Sequence, residues 1–226
     1  MSAFLAEFLR SPLTVGALAP SGRALSEAAV APIPSHGDPV VVELGPGTGT
    51  FTEQIQHRLG GRGRHIAVEI NERFAARLAQ RYPAIDVVTA DAASLHAVLA
   101  ERGISTVDVI ISGLPWAAFS ARKSLSILSS AVEVMSPLGA FTTFAYTPLR
   151  WVEAARRLRR ALDAHFDEVL ISRTIWANLP PALVYYCRRP SRLSSYEEAF
   201  VRDTPASLRR SSVPADTTDL LTRSRR

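Results

Sequence analysis

Only one cysteine, Cys187, occurs in 226 residues, which excludes a disulfide framework or a multi-cysteine metal site within one chain. No metal is expected, and a reducing cytoplasm is the simplest setting. Nowhere do about 18 apolar residues run together, so no spanning helix is expected. The first residues also lack the charged-then-apolar order of a secretory signal. Internal repeats are absent. The dinucleotide fingerprint Gly-x-Gly-x-x-Gly is missing because Thr50 stands where its last glycine is needed. The phosphate-cradling Gly-x-x-x-x-Gly-Lys-Ser/Thr is missing too, since no lysine precedes Lys123. A nucleoside without a phosphate chain remains the ligand class to consider.

The positive feature is the run Val40-Val41-Val42-Glu43-Leu44-Gly45-Pro46-Gly47-Thr48-Gly49-Thr50-Phe51. It predicts a strand buried on both faces that empties into a glycine-rich turn, where backbone can approach a ligand closely. Phe51 to Leu59 is expected to be helical, with its first N–H groups facing the same turn. A second apolar strand, Arg64 to Asn71, carries Glu69 near its end, placed to accept both ribose hydroxyls. A third run, Ile85 to Ala92, reaches Asp91, suited to an adenine amino group; an N-cap for a helix over 92–101 is the other role open to it.

Turn, ribose acid and adenine acid in this order resemble the class I S-adenosylmethionine-dependent methyltransferases over residues 40–187. The resemblance implies an α/β fold: a Rossmann-like seven-stranded sheet with helices on both faces and an N-terminal helical extension. It implies that Gly45, Gly47 and Gly49 cradle the methionine part of S-adenosylmethionine, with Glu43 meeting its amino group. Glu69 would hold the ribose and Asp91 the adenine, with Ile70, Ala92 and Ser112 also contacting the cofactor. S-adenosylhomocysteine is the implied product.

A fourth strand, Val107 to Ser112, leads into Gly113-Leu114-Pro115-Trp116, the place where the resemblance puts the reacting group. Methylases of adenine or glutamine nitrogen carry Asn or Asp there, followed by Pro-Pro-Tyr or Leu-Pro-Tyr. Here Ser112 replaces the amide and Trp116 the aromatic; a hydroxyl cannot make the paired contact of an exocyclic amine, which argues against base methylation. The expected reaction-site residues are Ser112, Trp116 and Tyr146, with Phe119 and Arg150 also lining the substrate. Trp176 is a further lining candidate. His65 and His165 are expected to be structural or solvent-facing.

At the N-terminus, Phe4, Leu5, Phe8 and Leu9 share one helical face before Pro12, fitting either a cap on the core or a helix in a membrane interface. Ser21 is expected to cap a helix through about Ala31. Arg173 to Tyr186 reads as two strands joined by a short loop, the last hairpin of the sheet. With these flanks, Leu9 to Leu25, Val41 to Thr52, Ser112 to Pro115 and Asn178 to Val184 resemble the bacterial phospholipid N-methyltransferases. That family implies methylation of a phosphatidylethanolamine headgroup by a cytoplasmic protein held peripherally on the inner face of the plasma membrane. The alternatives are an RNA adenine N6-methyltransferase and an enzyme of a soluble small molecule.

Net charge is +5 and the isoelectric point about 10.0, which suits an anionic membrane surface. Arginine carries nearly all of it, concentrated over 150–160 and 188–226 without the interleaved aromatics that stack bases. Nucleic acid is therefore the less favoured partner, and no obligate protein partner is indicated. The expected layout is N-terminal helices over 1–36, the methyltransferase domain over 37–190, and a basic polar tail, partly disordered, over 191–226.

Overall fold

The computed structural model describes residues 22–149 and 152–191. The expectations for Phe4, Leu5, Phe8, Leu9, Arg150 and the tail after Ser191 lie outside these residues, and so does Ser21 itself, though not the helix that it is expected to cap.

Three valines at 40–42 begin β1 (Val40–Leu44), which is buried from Val41 onward. It pairs in parallel with β2 (Arg64–Glu69) on one side and β4 (Val107–Ser112) on the other. β3 (Asp86–Thr89) lies outside β2. β5 (Met135–Tyr146) runs parallel beside β4. The sheet closes with β7 (Ala182–Pro190), antiparallel to β5, and β6 (Phe166–Ile171) beyond it. Seven strands therefore stand in the order β3-β2-β1-β4-β5-β7-β6. The chain moves outward from β1 to β3, then returns to the far side of β1. That reversal opens a crevice beyond the carboxyl ends of β1 and β4, the place where open parallel sheets bind ligands.

Helices cover both faces. On one lie α1 (Arg23–Ala29) and α2 (Thr50–Leu59), packing Leu25, Ala29, Phe51, Ile55 and Leu59 against Val41, Val109, Ile111 and Val184. The same side holds α3 (Glu72–Arg81), with Leu78 against Ala67 and Ile85. On the other lie α4 (Leu95–Ala100), α5 (Ala121–Val134) and α6 (Glu153–His165), burying Leu95, Leu128 and Leu162 against Val42, Ile110 and Phe141. In α2, buried residues at 51, 52, 55 and 59 form one stripe, and Gly60 ends the helix in the left-handed region.

Two local expectations are corrected. The helix before β1 starts at Arg23 with Gly22 at its cap position, one residue later than the Ser21 cap implies. Its last carbonyls are satisfied across the core, where Tyr186 Oη donates to Ala28 O at 2.9 Å and Thr142 Oγ1 to Ala29 O at 3.0 Å. The final hairpin does not lie within 173–186 either, because its first strand is β6, upstream. Pro180 and Pro181 have no N–H to give a ladder, so 172–181 is a loop with one bridge, Ile175 to Ala182. Buried Asn178 ties this loop down, accepting from Gly22 N at 2.7 Å and donating Nδ2 to Pro180 O at 2.6 Å.

His165 ends α6 as a structural residue, as its sequence suggests. Its Nδ1 lies 2.7 Å from Ala161 O and Nε2 3.4 Å from Ser129 Oγ. Burial lowers its pKa to about 4, against a smaller opposing effect of the Ala161 carbonyl. Because the folded value is depressed, the unfolded chain takes up a proton here first as pH falls below about 6.5, and stability is lost until about pH 4. Urea melts across that window should show His165→Gln removing part of the acid slope, by up to about 1.4 kcal/mol per pH unit. An unchanged slope would assign the acid loss to other groups.

Candidate functional site

The parallel strands deliver their last residues to one edge. Glu43 and Gly45 arrive from β1, Glu69 from β2, Asp91 after β3, Ser112 and Gly113 from β4, and Tyr146 from β5. The turns after β1 and β4 abut closely. Gly45 N donates to Val68 O at 2.9 Å, and Gly113 N to Leu44 O at 2.8 Å. A Cβ on Gly113 would stand 2.8 Å from Gly45 O, closer than side chains are found. Gly47, at φ +54°, would meet nothing within 4 Å, so this turn presents backbone to open space.

Glu43 is fully buried, with 0% of its surface exposed. Its Oε2 accepts from Thr52 Oγ1 at 2.7 Å and stands 3.2 Å from His65 Nε2. Gln56 Nε2 lies 2.9 Å from His65 Nδ1. Thr52 and Gln56 are one turn apart on α2, so both face the sheet where β1 and β2 place Glu43 and His65. Oε1 has no hydrogen-bond partner among the described residues. An unpaired buried acceptor costs about 1–3 kcal/mol, and a cationic ligand group would remove that cost. His65, expected to be structural or solvent-facing, is thus placed directly against the fully buried Glu43.

Glu69 is also buried, and its carboxylate braces the turn. Oε2 accepts from Gly47 N at 3.1 Å and Oε1 from Asn71 N at 2.9 Å. Ile70 beside it is 70% exposed, an apolar side chain open at the same edge. Asp91 caps the short 3₁₀ turn Ala92–Ser94, accepting from Ala93 N at 2.9 Å, so the capping role is realised. Its other oxygen pairs with Lys123, the chain's single lysine. Burial pushes the Asp91 carboxyl up, but Lys123 and the Ala93 N–H outweigh it and hold the group below the usual carboxylate range.

A glycine cradle, a buried acid with a free acceptor oxygen, and further acids at the next two strand ends suit an adenosyl amino acid. Residues 41–139 match the family model described as a methyltransferase domain. The ornithine lipid N-methyltransferase of Singulisphaera acidiphila is 35% identical over 188 residues, covering 82% of this chain and 94% of that protein. The chain belongs to the class I S-adenosylmethionine-dependent methyltransferases. The methyl donor is S-adenosylmethionine. Solved structures share the fold: the CurJ carbon methyltransferase at TM-score 0.57 and 18% identity, over 75% of this chain and 54% of that one. Human methyltransferase-like protein 13, in complex with SAH, superposes at 0.53 with 17% identity over 88% and 95%. The chain thus spans about half the CurJ chain and nearly all of the human one.

In this methyltransferase the segment after β4 is tightly packed. Ser112 Oγ accepts from Trp116 Nε1 at 3.2 Å and from Leu114 N at 3.4 Å, while Thr143 Oγ1 donates to its carbonyl at 3.3 Å. Trp116 is 5% exposed, with ring centroids of Phe119 and Phe141 at 6.0 and 6.3 Å, so its ring is core rather than an open wall. Phe119 is half-buried against the same cluster. Tyr146 meets Phe144 edge to face at 5.6 Å, and burial raises its phenol pKa.

Replacing Glu69 by Ala strands the Gly47 and Asn71 N–H groups and removes the acid beside the turn. Calorimetric titration should show S-adenosylmethionine binding weakened at least tenfold, about 1.4 kcal/mol. Binding within about twofold of wild type would place the ribose contact elsewhere.

Proposed function

We propose that the enzyme methylates the amine of a membrane lipid headgroup, of the ornithine lipid or phosphatidylethanolamine kind, at an anionic membrane surface. What carries this reading is the 35% identity with an ornithine lipid N-methyltransferase over nearly its whole length. Bound, S-adenosylmethionine supplies a sulfonium methyl that an amine nitrogen takes by direct displacement, leaving S-adenosylhomocysteine. The chain's own contribution is placement. The Gly45–Gly49 turn and Glu43 take the amino-acid part, and Glu69, Ile70, Asp91 and Ala92 the nucleoside. Ser112 braces the segment that borders the reacting methyl. Tyr146 and Phe144 offer half-buried aromatic surface at the end of β5, where a low dielectric favours the unprotonated amine and a ring face tolerates the methylated cation. Raised by burial, the Tyr146 phenol keeps its proton and can orient a headgroup oxygen.

The same edge carries apolar surface turned to solvent. The β6–β7 loop lies at the carboxyl end of the parallel strands, and on it Trp176 is 77% and Leu179 85% exposed, with Arg173 exposed nearby. An indole, an isobutyl group and a guanidinium together suit the boundary between headgroups and acyl chains. Among the described residues no helix is long and apolar enough to cross a membrane. Docking would be peripheral, on the cytoplasmic leaflet, with Phe4, Leu5, Phe8 and Leu9 as a second contact and Arg150 toward the lipid phosphate.

The test is transfer of radiolabelled methyl to anionic vesicles containing ornithine lipid or phosphatidylethanolamine, with ribosomal RNA and a small-molecule amine pool as parallel acceptors. Label is expected in the lipid, with the W176E/L179E double variant reducing it about tenfold on vesicles. Label in RNA, or only in soluble amines, would overturn the lipid assignment.

A further inference from the structure

We infer that His65 is a positioning residue for the methyl donor, holding the buried Glu43 carboxylate so that one oxygen faces the donor's ammonium. This rests on the reading of Glu43 as the acid that takes that ammonium. Both side chains are buried, and no basic residue other than His65 lies within 4 Å of the Glu43 carboxylate among the described residues. The Gln56 amide nitrogen, 2.9 Å from His65 Nδ1, only donates. Nδ1 is therefore the acceptor, and the neutral ring carries its proton on Nε2, the nitrogen 3.2 Å from Glu43 Oε2. Thr52 donates to that same oxygen.

Thr52 donates to Oε2 and His65 Nε2 stands against the same oxygen, so Oε1 is left for a ligand. The His65 N–H is not aligned for a hydrogen bond, so it acts on the carboxylate as a near dipole rather than as a closed pair. A carboxylate held by Thr52 alone would keep one tether, with less to fix the plane of its two oxygens. Gln56 in turn holds the ring from α2, so the helix that starts at the glycine turn also sets the acid beneath it.

The consequence is selective. An adenosyl ligand with an amino-acid part should need His65, whereas one without it should not. Dissociation constants are compared for S-adenosylhomocysteine and for 5′-methylthioadenosine, which lacks the amino-acid part, on wild type, His65→Phe, Gln56→Leu and Glu43→Gln. His65→Phe should weaken S-adenosylhomocysteine about tenfold and leave 5′-methylthioadenosine within about twofold, and Gln56→Leu should show the same selectivity at about threefold. Equal loss for both ligands would mean a purely structural histidine and overturn the inference, as would no loss for either. Should His65→Phe fail to fold, the Gln56→Leu comparison decides on the same criterion. A selective loss in Glu43→Gln alone would sink the role of His65 while keeping that of Glu43; no selective loss in Glu43→Gln would sink both.

Discussion

The close approach of the turns after β1 and β4 is the constraint on which the site depends. These strands are neighbours in the sheet but lie far apart in the chain, and the path reverses direction between them. Gly113 sits where a Cβ would press on Gly45 O, so the two turns share one wall. The strand ends on either side then contribute in order: Glu69 and Asp91 from one direction, Ser112 and Tyr146 from the other. Connections of different length all arrive at one edge because parallel strands share a direction. No single loop has to build the site.

Within that frame, buried polar groups are spent on precision. Glu43 lies between Thr52 and His65, Glu69 braces Gly47, and Ser112 gathers the Trp116 indole and the Leu114 N–H. Each is a polar group kept from water, and each fixes backbone or side chain near the turn. The apolar features exposed at the same edge, Ile70, Trp176 and Leu179, have the opposite character. A buried polar interior thus stands beside an exposed apolar rim.

Asn178 joins the start of the described fold to the β6–β7 loop. It takes the N–H at the start of α1 with one side-chain atom and a carbonyl of the β6–β7 loop with another. The loop that carries Trp176 and Leu179 is thereby anchored to the start of α1.

Sequence alone determined the elements whose signal is local. Three valines followed by alternating glycines specify a buried strand and an open turn, whatever packs around them, and the acids ending the next two apolar runs mark the same edge. Tertiary structure decided what depends on register and on which face a residue takes. His65 is an ordinary strand residue until β1 and β2 align Val41 with it and α2 turns Thr52 and Gln56 inward. Lys123 lies thirty-two residues from Asp91 and meets it only because α5 packs beside the turn that Asp91 caps. Trp116 carries an aromatic signal equally suited to pocket or core, and the indole N–H reaching Ser112 buries it. The first strand of the final hairpin was hidden for a related reason. β6 is an edge strand of weak alternation, stabilised by pairing with β7 rather than by its own sequence.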